Sequence, residues 1–180
     1  ALQCRGVSCR CSCPAVAGTA ALIRQWFLNQ SLPAPSPAMV KAVIVGSGEY
    51  IGGAFAGGTL PDPGQGMGLV NMGRTFDATQ KLVSDQSTVL GSTGQTHQIT
   101  GSVGSSSEPF RVTLVWTDAP GTTTSSPWVN DLDLTVSVGG NTYRGNVFSA
   151  ANSTTGGSAD TKNNTESVFL PAGVSGNFTI

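Results

Sequence analysis

The second half of the sequence contains carboxylate and amide side chains of the kind that bind hard cations. The acids are Asp118, Asp131, Asp133, Asp160 and Glu166, and the amides are Asn130, Asn163 and Asn164. Oxygen donors near strand ends suit Ca²⁺, which takes about six to eight oxygen ligands. Asp131 and Asp133 are two residues apart, so on a strand they share one face, and their like charges favour a counter-ion. We therefore predict Ca²⁺ ligands among Asp131, Asp133, Asp160, Asn164 and Glu166.

Other chemistry is open to the same residues. Asp and Asn side chains also accept backbone hydrogen bonds in turns, and this second interpretation of the cluster stays open beside calcium. A glycosidase pair is disfavoured, because Asp131 and Asp133 are too close in sequence to lie on either side of a sugar. The single histidine, His97, lies in a predicted strand far along the chain from the first helix, which indicates a surface or packing role.

Two helices are predicted at the start of the chain. The first covers Cys13 to Leu28, with Pro14 in its first turn and apolar residues on nearly every side, a pattern typical of a helix buried in an α/β domain. The second has Ser36 as its N-cap and Pro37 at its first position, and it ends at Gly46 to Gly48. Too little chain precedes the first helix to bury it.

The remainder of the chain has the period of a β-sheet. The predicted strands are 96–103, 110–116, 132–138, 142–148, 166–170 and 177–180, and Gly139-Gly140-Asn141 is a strong hairpin turn. On 110–116 the residues Phe110, Val112, Leu114 and Trp116 share the apolar face. Short strands separated by Gly, Ser and Pro predict an antiparallel β-sandwich.

Composition limits the function classes. The net charge of −1 offers no basic surface for a nucleic acid, and no apolar run is long enough for a membrane span. Few charged residues and abundant Gly, Ser, Thr and Asn favour a secreted protein. The four N-x-S/T sequons, at Asn29, Asn152, Asn163 and Asn177, are compatible with secretion. Cys4, Cys9, Cys11 and Cys13 lack the paired spacing of a zinc site.

The first helix also carries a family resemblance. Residues 13–22, Cys-Pro-Ala-Val-Ala-Gly-Thr-Ala-Ala-Leu, resemble the motif GTSMAxPHVAGxxAL around the nucleophilic serine of subtilisin-like serine proteases, with Ala15 where the family has His. The following Ser-Pro-Ala-Met-Val-Lys-Ala (36–42) and Gln-Gly-Met-Gly-Leu-Val-Asn (65–71) resemble later segments of the same catalytic domain. Met67 and Leu69 replace the Trp and Arg usual there.

A second set of motifs resembles the C-terminal β-sandwich (jelly-roll) domain of one subgroup of the same family. The matching segments are 112–121, 129–134, 143–146 and 163–168, in the family's order. The resemblance implies a chain divided into residues 1–78, the C-terminal part of a subtilisin-like catalytic domain, and residues 79–180, a jelly-roll-like sandwich. The expected fold is therefore an α+β fragment, with two helices followed by an antiparallel β-sandwich. Bound calcium is also implied for this kind of domain.

The catalytic site implied by the resemblance falls in the least regular stretch of the chain. An ungapped alignment places Arg10 at the nucleophile, whereas a two-residue insertion places Ser8 there. The family's catalytic Asp and His and its oxyanion-hole Asn lie upstream of the motif. We therefore expect a fragment of a secreted serine endopeptidase that is inactive alone. In the parent protein it would contact the rest of the catalytic domain and serve hydrolysis of peptide or protein substrates.

A rival function belongs to another class. A non-catalytic β-sandwich module that binds carbohydrate would use exposed aromatic side chains as a platform for a sugar. The candidates are Trp116, Trp128 and Tyr143. Trp128 is the strongest of them, because Trp116 belongs to an apolar strand face.

Overall fold

A computed structural model of the chain describes residues 12–53, 57–124 and 128–180. These residues form three helices, α1 (Ser12–Asn29), α2 (Pro37–Gly46) and α3 (Met72–Phe76). They also form strands β1 (Thr100–Ser102), β2 (Phe110–Val115), β3 (Thr135–Val138), β4 (Asn141–Ser149), β5 (Asn152–Thr155), β6 (Thr165–Leu170) and β7 (Asn177–Thr179). The order confirms helices followed by a β-rich half.

The helix ends follow from local capping. Ser36 caps α2, because its Oγ accepts a hydrogen bond from Met39 N at 3.0 Å and Pro37 follows at the first helical position, as predicted. Helix α3 was not predicted, although Asn71 gives a capping signal: its Oδ1 accepts from Arg74 N at 3.1 Å.

Most of α1 lies open to solvent. Only Ile23 and Phe27 are buried in this 18-residue helix. Val16, Leu22 and Leu28 expose 42%, 56% and 45% of their surface. A helix that is apolar on all sides is normally buried, so the described residues cover only one side of α1.

The strands form two antiparallel sheets. A five-stranded sheet has the order β1-β7-β3-β4-β5, and a two-stranded ribbon pairs β2 with β6. Gly139 and Gly140, both at positive φ, form the tight turn between β3 and β4 that the sequence predicts. Strand β5 is not among the strands that the sequence predicts. It is an edge strand with three of its four residues exposed, so its sequence lacks an apolar signal.

The core lies between the two sheets. Its buried members are Leu134, Val136 and Val138 from the five-stranded sheet and its approach, and Val168 and Leu170 from β6. Phe110, Val112 and Leu114 of β2 pack against this cluster, as their alternation predicts.

The ribbon has a second buried face, which meets α2. Arg111 donates from Nη1 to the carbonyl oxygens of Gly46 at 3.2 Å and Gly48 at 2.7 Å. Its guanidinium also lies 4.2 Å from the centre of the Phe169 ring. The ribbon is therefore held between the end of α2 and the five-stranded sheet, and β6 is buried from residue 166 to residue 170.

The outer face of the five-stranded sheet is polar. By strand alternation and pairing register, its outward positions include Thr100, Ser102, Thr135, Ser137, Thr142, Arg144, Asn152, Thr154, Asn177 and Thr179. These side chains are exposed or half-buried, and none is apolar. This face is suited to water and not to another packed layer.

Several contacts cross the predicted boundary between residues 78 and 79. Lys41 Nζ donates to Asn164 Oδ1 at 3.0 Å, and Leu60 N donates to Ala150 O at 3.0 Å. Leu60 itself is buried. The helical half therefore packs along the β-rich half, while the division into two domains stays a prediction.

Within the ranges that the structure describes, no helix combines the length and the apolar character needed to cross a bilayer.

Candidate functional site

The buried carboxylate of Glu166 is the centre of the candidate site. Glu166 lies on β6, on the same face as the core residues Val168 and Leu170, and only 1% of it is exposed. Its Oε2 accepts a hydrogen bond from Leu134 N at 2.6 Å. Its Oε1 is buried and has no hydrogen-bond partner among the described residues. A buried carboxylate oxygen without a partner is costly, so it is the one atom here that favours a bound proton or cation.

The surroundings of Glu166 also favour its neutral form. Burial, together with the carboxylates of Asp133, Asp160 and Asp131, raises the pKa of Glu166 to about 7. The hydrogen bond from Leu134 N acts in the opposite direction but is outweighed. The four acids are therefore close enough to act on one another electrostatically, as the sequence predicts.

Gly145 makes room for this carboxylate. A Cβ built on Gly145 would lie 2.7 Å from the Cβ of Glu166 and 2.9 Å from its Cδ, closer than real side chains approach. Only a residue without a side chain fits the backbone of β4 against Glu166. The segment 143–146 and the segment 163–168, far apart in sequence, thus meet at one point.

Asn146 joins β4 to the free edge of β6. Its Nδ2 donates to Thr165 O at 2.8 Å, and its Oδ1 accepts from Ser167 N at 3.0 Å, so the amide takes the place of a neighbouring strand. Asn146 adopts a φ of 58°, a conformation that Asn tolerates better than most residues. Sequence analysis did not select Asn146 as a site residue, although it stands in a quoted motif.

Asp160 is saturated by hydrogen-bond donors. Its carboxylate accepts from Asn146 Nδ2 at 2.7 Å and Asn163 Nδ2 at 2.6 Å, and also from the backbone N–H groups of Lys162 and Asn163. Burial alone would raise the pKa of Asp160, but these donors outweigh it and lower the pKa. Asp160 therefore accepts hydrogen bonds in a turn, which is the second of the two interpretations of the acidic cluster.

Asp131 and Asp133 lie just before β3 and not within it, because the strand begins at Thr135. Both are exposed, and neither makes a hydrogen bond among the described residues. Partial desolvation and the nearby charges of Asp133 and Asp160 raise the pKa of Asp131. Their shared strand face was wrongly predicted, but they do lie near Glu166.

Asn164 faces a different part of the molecule. Its Oδ1 accepts from Lys41 Nζ on α2, and burial lowers the pKa of that lysine. An amide oxygen already bound to an ammonium group is a poor cation ligand. Of the predicted ligands, Glu166, Asp131 and Asp133 are therefore the ones with unoccupied oxygens.

These three carboxylates do not form a ready-made metal centre. Across residues 12–53, 57–124 and 128–180, no group of three or more His, Cys, Asp or Glu side chains could hold a metal ion as it stands. To bind a cation at this site, the exposed aspartates would have to move towards Glu166. Calcium binding stays a prediction.

Asp118 caps a separate loop. Its carboxylate accepts from the backbone N–H groups of Val129 at 2.7 Å and Asn130 at 3.1 Å, and from Asn130 Nδ2 at 2.7 Å. The bond from Val129 is the largest cause of a lowered pKa for Asp118. Here too the acid holds a turn.

The structure does not test the residues predicted for catalysis. Ser8, its alternative Arg10, and Cys4, Cys9 and Cys11 lie outside the described residues. His97 is exposed in the segment before β1, where the described residues offer its ring one hydrogen-bond partner, Thr88 Oγ1 at 3.4 Å. Cys13 is an exposed free thiol on α1.

The three aromatic residues of the rival hypothesis do not share a surface. Tyr143 points inward and packs against the core. Trp116 is half-buried, and its Nε1 donates to Asn130 O at 3.3 Å. Trp128 is half-buried beside residues that the structure does not describe. A flat platform of all three is therefore not formed.

Comparison with known proteins adds no assignment: no protein-family model matches the chain, and no curated protein matches it significantly.

Proposed function

We propose that this chain is the C-terminal part of a subtilisin-like serine endopeptidase, in which the β-rich half braces the end of the catalytic domain. The observation that carries the proposal is that α1, although apolar on nearly every side, leaves Val16, Leu22 and Leu28 exposed on different sides of the helix. This helix also carries the motif that resembles the nucleophile segment of the family. The rest of a catalytic domain is the partner that would cover it.

In such a parent the reaction is acyl transfer from a peptide carbonyl to a serine, followed by hydrolysis. A general base must reach the proton of that serine. His97 is the only histidine of this chain, and it is exposed and distant in sequence from the motif. We expect the chain alone to be without peptidase activity for this reason.

The bracing role is supported by contacts between the two halves. Arg111 of β2 binds the carbonyl oxygens at the end of α2, and Lys41 of α2 binds Asn164. Leu60 is buried beside the turn between β4 and β5. We interpret the two sheets as a jelly-roll-like sandwich that fixes α2 and, through it, α1.

The proposal also includes a calcium ion, which would bind to Glu166, Asp131 and Asp133 and stabilise the fold. The support is the buried Oε1 of Glu166, which has no hydrogen-bond partner among the described residues, and the charges of Asp131 and Asp133, which act on its pKa. The bound ion would supply positive charge that offsets their repulsion. It would have no part in peptide hydrolysis.

The deciding experiment starts from the gene. Sequencing upstream of codon 1 in all three frames should reveal the Asp and His motifs and an intact Gly-Thr-Ser. The full-length protein should then hydrolyse casein, and a serine-directed sulfonyl fluoride should block the activity. The isolated chain should not. Inhibitor-sensitive proteolysis by the isolated chain, or an upstream sequence without both motifs, would overturn the proposal.

A further inference from the structure

The four N-x-S/T sequons have different structural settings. At Asn29, on the last turn of α1, the side-chain Oδ1 accepts from Gln25 Nε2 at 2.8 Å. At Asn163 the Nδ2 donates to Asp160 Oδ2 at 2.6 Å. Asn177 lies on β7, which has β1 on one side and β3 on the other. Asn152 lies on β5, the terminal strand of the sheet.

Asn152 differs from the other three because it lies on an edge strand of the sheet. Along β5 the side chains alternate, so Asn152 and Thr154 point outward while Ser153 is buried and accepts from Phe169 N at 3.0 Å. The side chain of Asn152 is exposed and has no hydrogen-bond partner among the described residues. Both chemically important residues of this sequon therefore lie on the polar outer face of the sheet.

The asparagines of the other three sequons are engaged in hydrogen bonds or lie within the sheet. A glycan on Asn163 would crowd the amide contacts around Asp160, which also hold Asn146. Asn177 is paired with Ser102 in the sheet interior, and its sequon partner Thr179 is half-buried. The side chain of Asn29 is hydrogen-bonded within its own helix, α1. In the proposed parent protein, the exposed apolar residues of α1 would be covered by the rest of the catalytic domain.

We propose that Asn152 is a site of N-linked glycosylation and that Asn29, Asn163 and Asn177 are not. The co-reactant is a lipid-linked oligosaccharide diphosphate. A bond forms between Asn152 Nδ2 and the anomeric carbon of the sugar, the bond from that carbon to the diphosphate oxygen breaks, Nδ2 loses one proton, and the lipid diphosphate leaves. The inference rests on the proposed function only for the route of the chain through the secretory pathway.

A glycan at this position would also protect the sheet. An edge strand has unpaired backbone groups that can recruit a strand from another molecule. Strand β5 is short, carries no charged side chain and ends the five-stranded sheet. A hydrated oligosaccharide on Asn152 would shield this edge, and most side chains of the outer face that it would cover are polar.

The test is cell-free translation of the full 180-residue chain, behind a cleavable secretion signal, with eukaryotic microsomes. We expect one glycan per chain, seen as a gel shift that peptide N-glycosidase reverses. Asn152→Gln and Thr154→Ala should abolish the shift, and Thr154→Ser should retain it. Asn29→Gln, Asn163→Gln and Asn177→Gln, the matched controls, should also retain it.

Translation in microsomes measures glycan transfer and not peptidase activity. A failure of the glycosylation inference can therefore be distinguished from a failure of the peptidase proposal. A translocated but unmodified chain would overturn the inference. So would a shift that survives Asn152→Gln, with the glycan mapped to another asparagine by mass spectrometry after deglycosylation in ¹⁸O water. Neither variant at residues 152 and 154 removes a buried contact, so folding does not obscure the result.

Discussion

Arg111 and Arg74 both donate a hydrogen bond to the carbonyl oxygen of Gly48, at 2.7 Å and 2.9 Å. One arginine comes from β2 and the other from α3, so the end of α2 is closed by guanidinium groups from both halves of the chain. Positive charge at a helix C-terminus is stabilising. Burial and the charge of Arg74 lower the pKa of Arg111 to about 10, which still leaves it charged at neutral pH.

We predict that Arg111→Ala lowers the free energy of unfolding by about 3 kcal/mol, because it removes charge-assisted hydrogen bonds and the stacking on Phe169. The free energy of unfolding of Arg111→Lys should lie between those of the wild type and Arg111→Ala, because lysine keeps the charge but cannot stack on Phe169 as a planar group. Urea denaturation followed by tryptophan fluorescence measures both. Arg144→Ala, on the exposed outer face, is the control and should change stability by less than about 0.5 kcal/mol. Equal effects at the two arginines would contradict the capping role.

The titration of Glu166 predicts a stability that decreases as pH rises. Below about 4.5 the folded and unfolded chains both hold this proton. Between that value and about 7 the unfolded chain loses the proton while the folded chain keeps it, which costs up to about 1.4 kcal/mol per pH unit. Denaturation curves in EDTA between pH 5 and 7.5 should show this slope for the wild type. Glu166→Gln should remove it, and an unchanged slope would refute the assignment to Glu166.

Gly145→Ala should destabilise the protein by about 2 to 4 kcal/mol, because its methyl group would collide with the buried Glu166 side chain. Gly91→Ala is the matched control, since its Cβ would meet no atom closer than 3.9 Å. In a double-mutant cycle, Glu166→Ala should absorb part of the cost of Gly145→Ala. Strict additivity in melting experiments would mean that the two residues do not share this space.

Calcium should raise the thermal midpoint of the wild type, by linkage of binding to folding. A saturating excess of about 100 times the dissociation constant corresponds to about 2.7 kcal/mol. Glu166→Gln and the double variant Asp131→Asn/Asp133→Asn should lose most of this response, whereas Glu108→Gln, exposed and remote from the cluster, should keep it. Calorimetry with CaCl₂ against MgCl₂ and EDTA checks the effect. A wild type whose midpoint does not move would end the calcium proposal.

Local signals were sufficient for most elements of the fold. The cap and proline at Ser36-Pro37 gave the start of α2, and the alternation of Phe110, Val112 and Leu114 gave the buried face of β2. Strand β5 was missed because a polar edge strand has the composition of a loop. Asp131 and Asp133 were placed on a strand because sequence alternation continued past the point where pairing begins.

The site was predicted in composition but not in arrangement. The acids around Glu166 were named from their types, and they do interact. The sequence could not show which of these acids is hydrogen-bonded and which is not, because that depends on which donors lie near each carboxylate in the fold. Asp160 is saturated by Asn146 and Asn163, while Glu166 keeps one oxygen without a partner. Asn163 is only three positions from Asp160, but the contacts of Asn146 with Asp160 and of Leu134 with Glu166 join residues 14 and 32 positions apart.

Two long-range strand pairings of the β-rich half are nested, and the pairing of β3 with β7 crosses the inner one. Strand β1 pairs with β7, and inside that loop β2 pairs with β6, in register from Phe110–Leu170 to Val115–Thr165. Each pairing closes a long loop of chain, and the entropy of closure is lost before most core contacts form. This topology implies slow, all-or-none folding with high contact order. In a newly made chain, the sheet would stay incomplete until β7 is available to join β1 to β3.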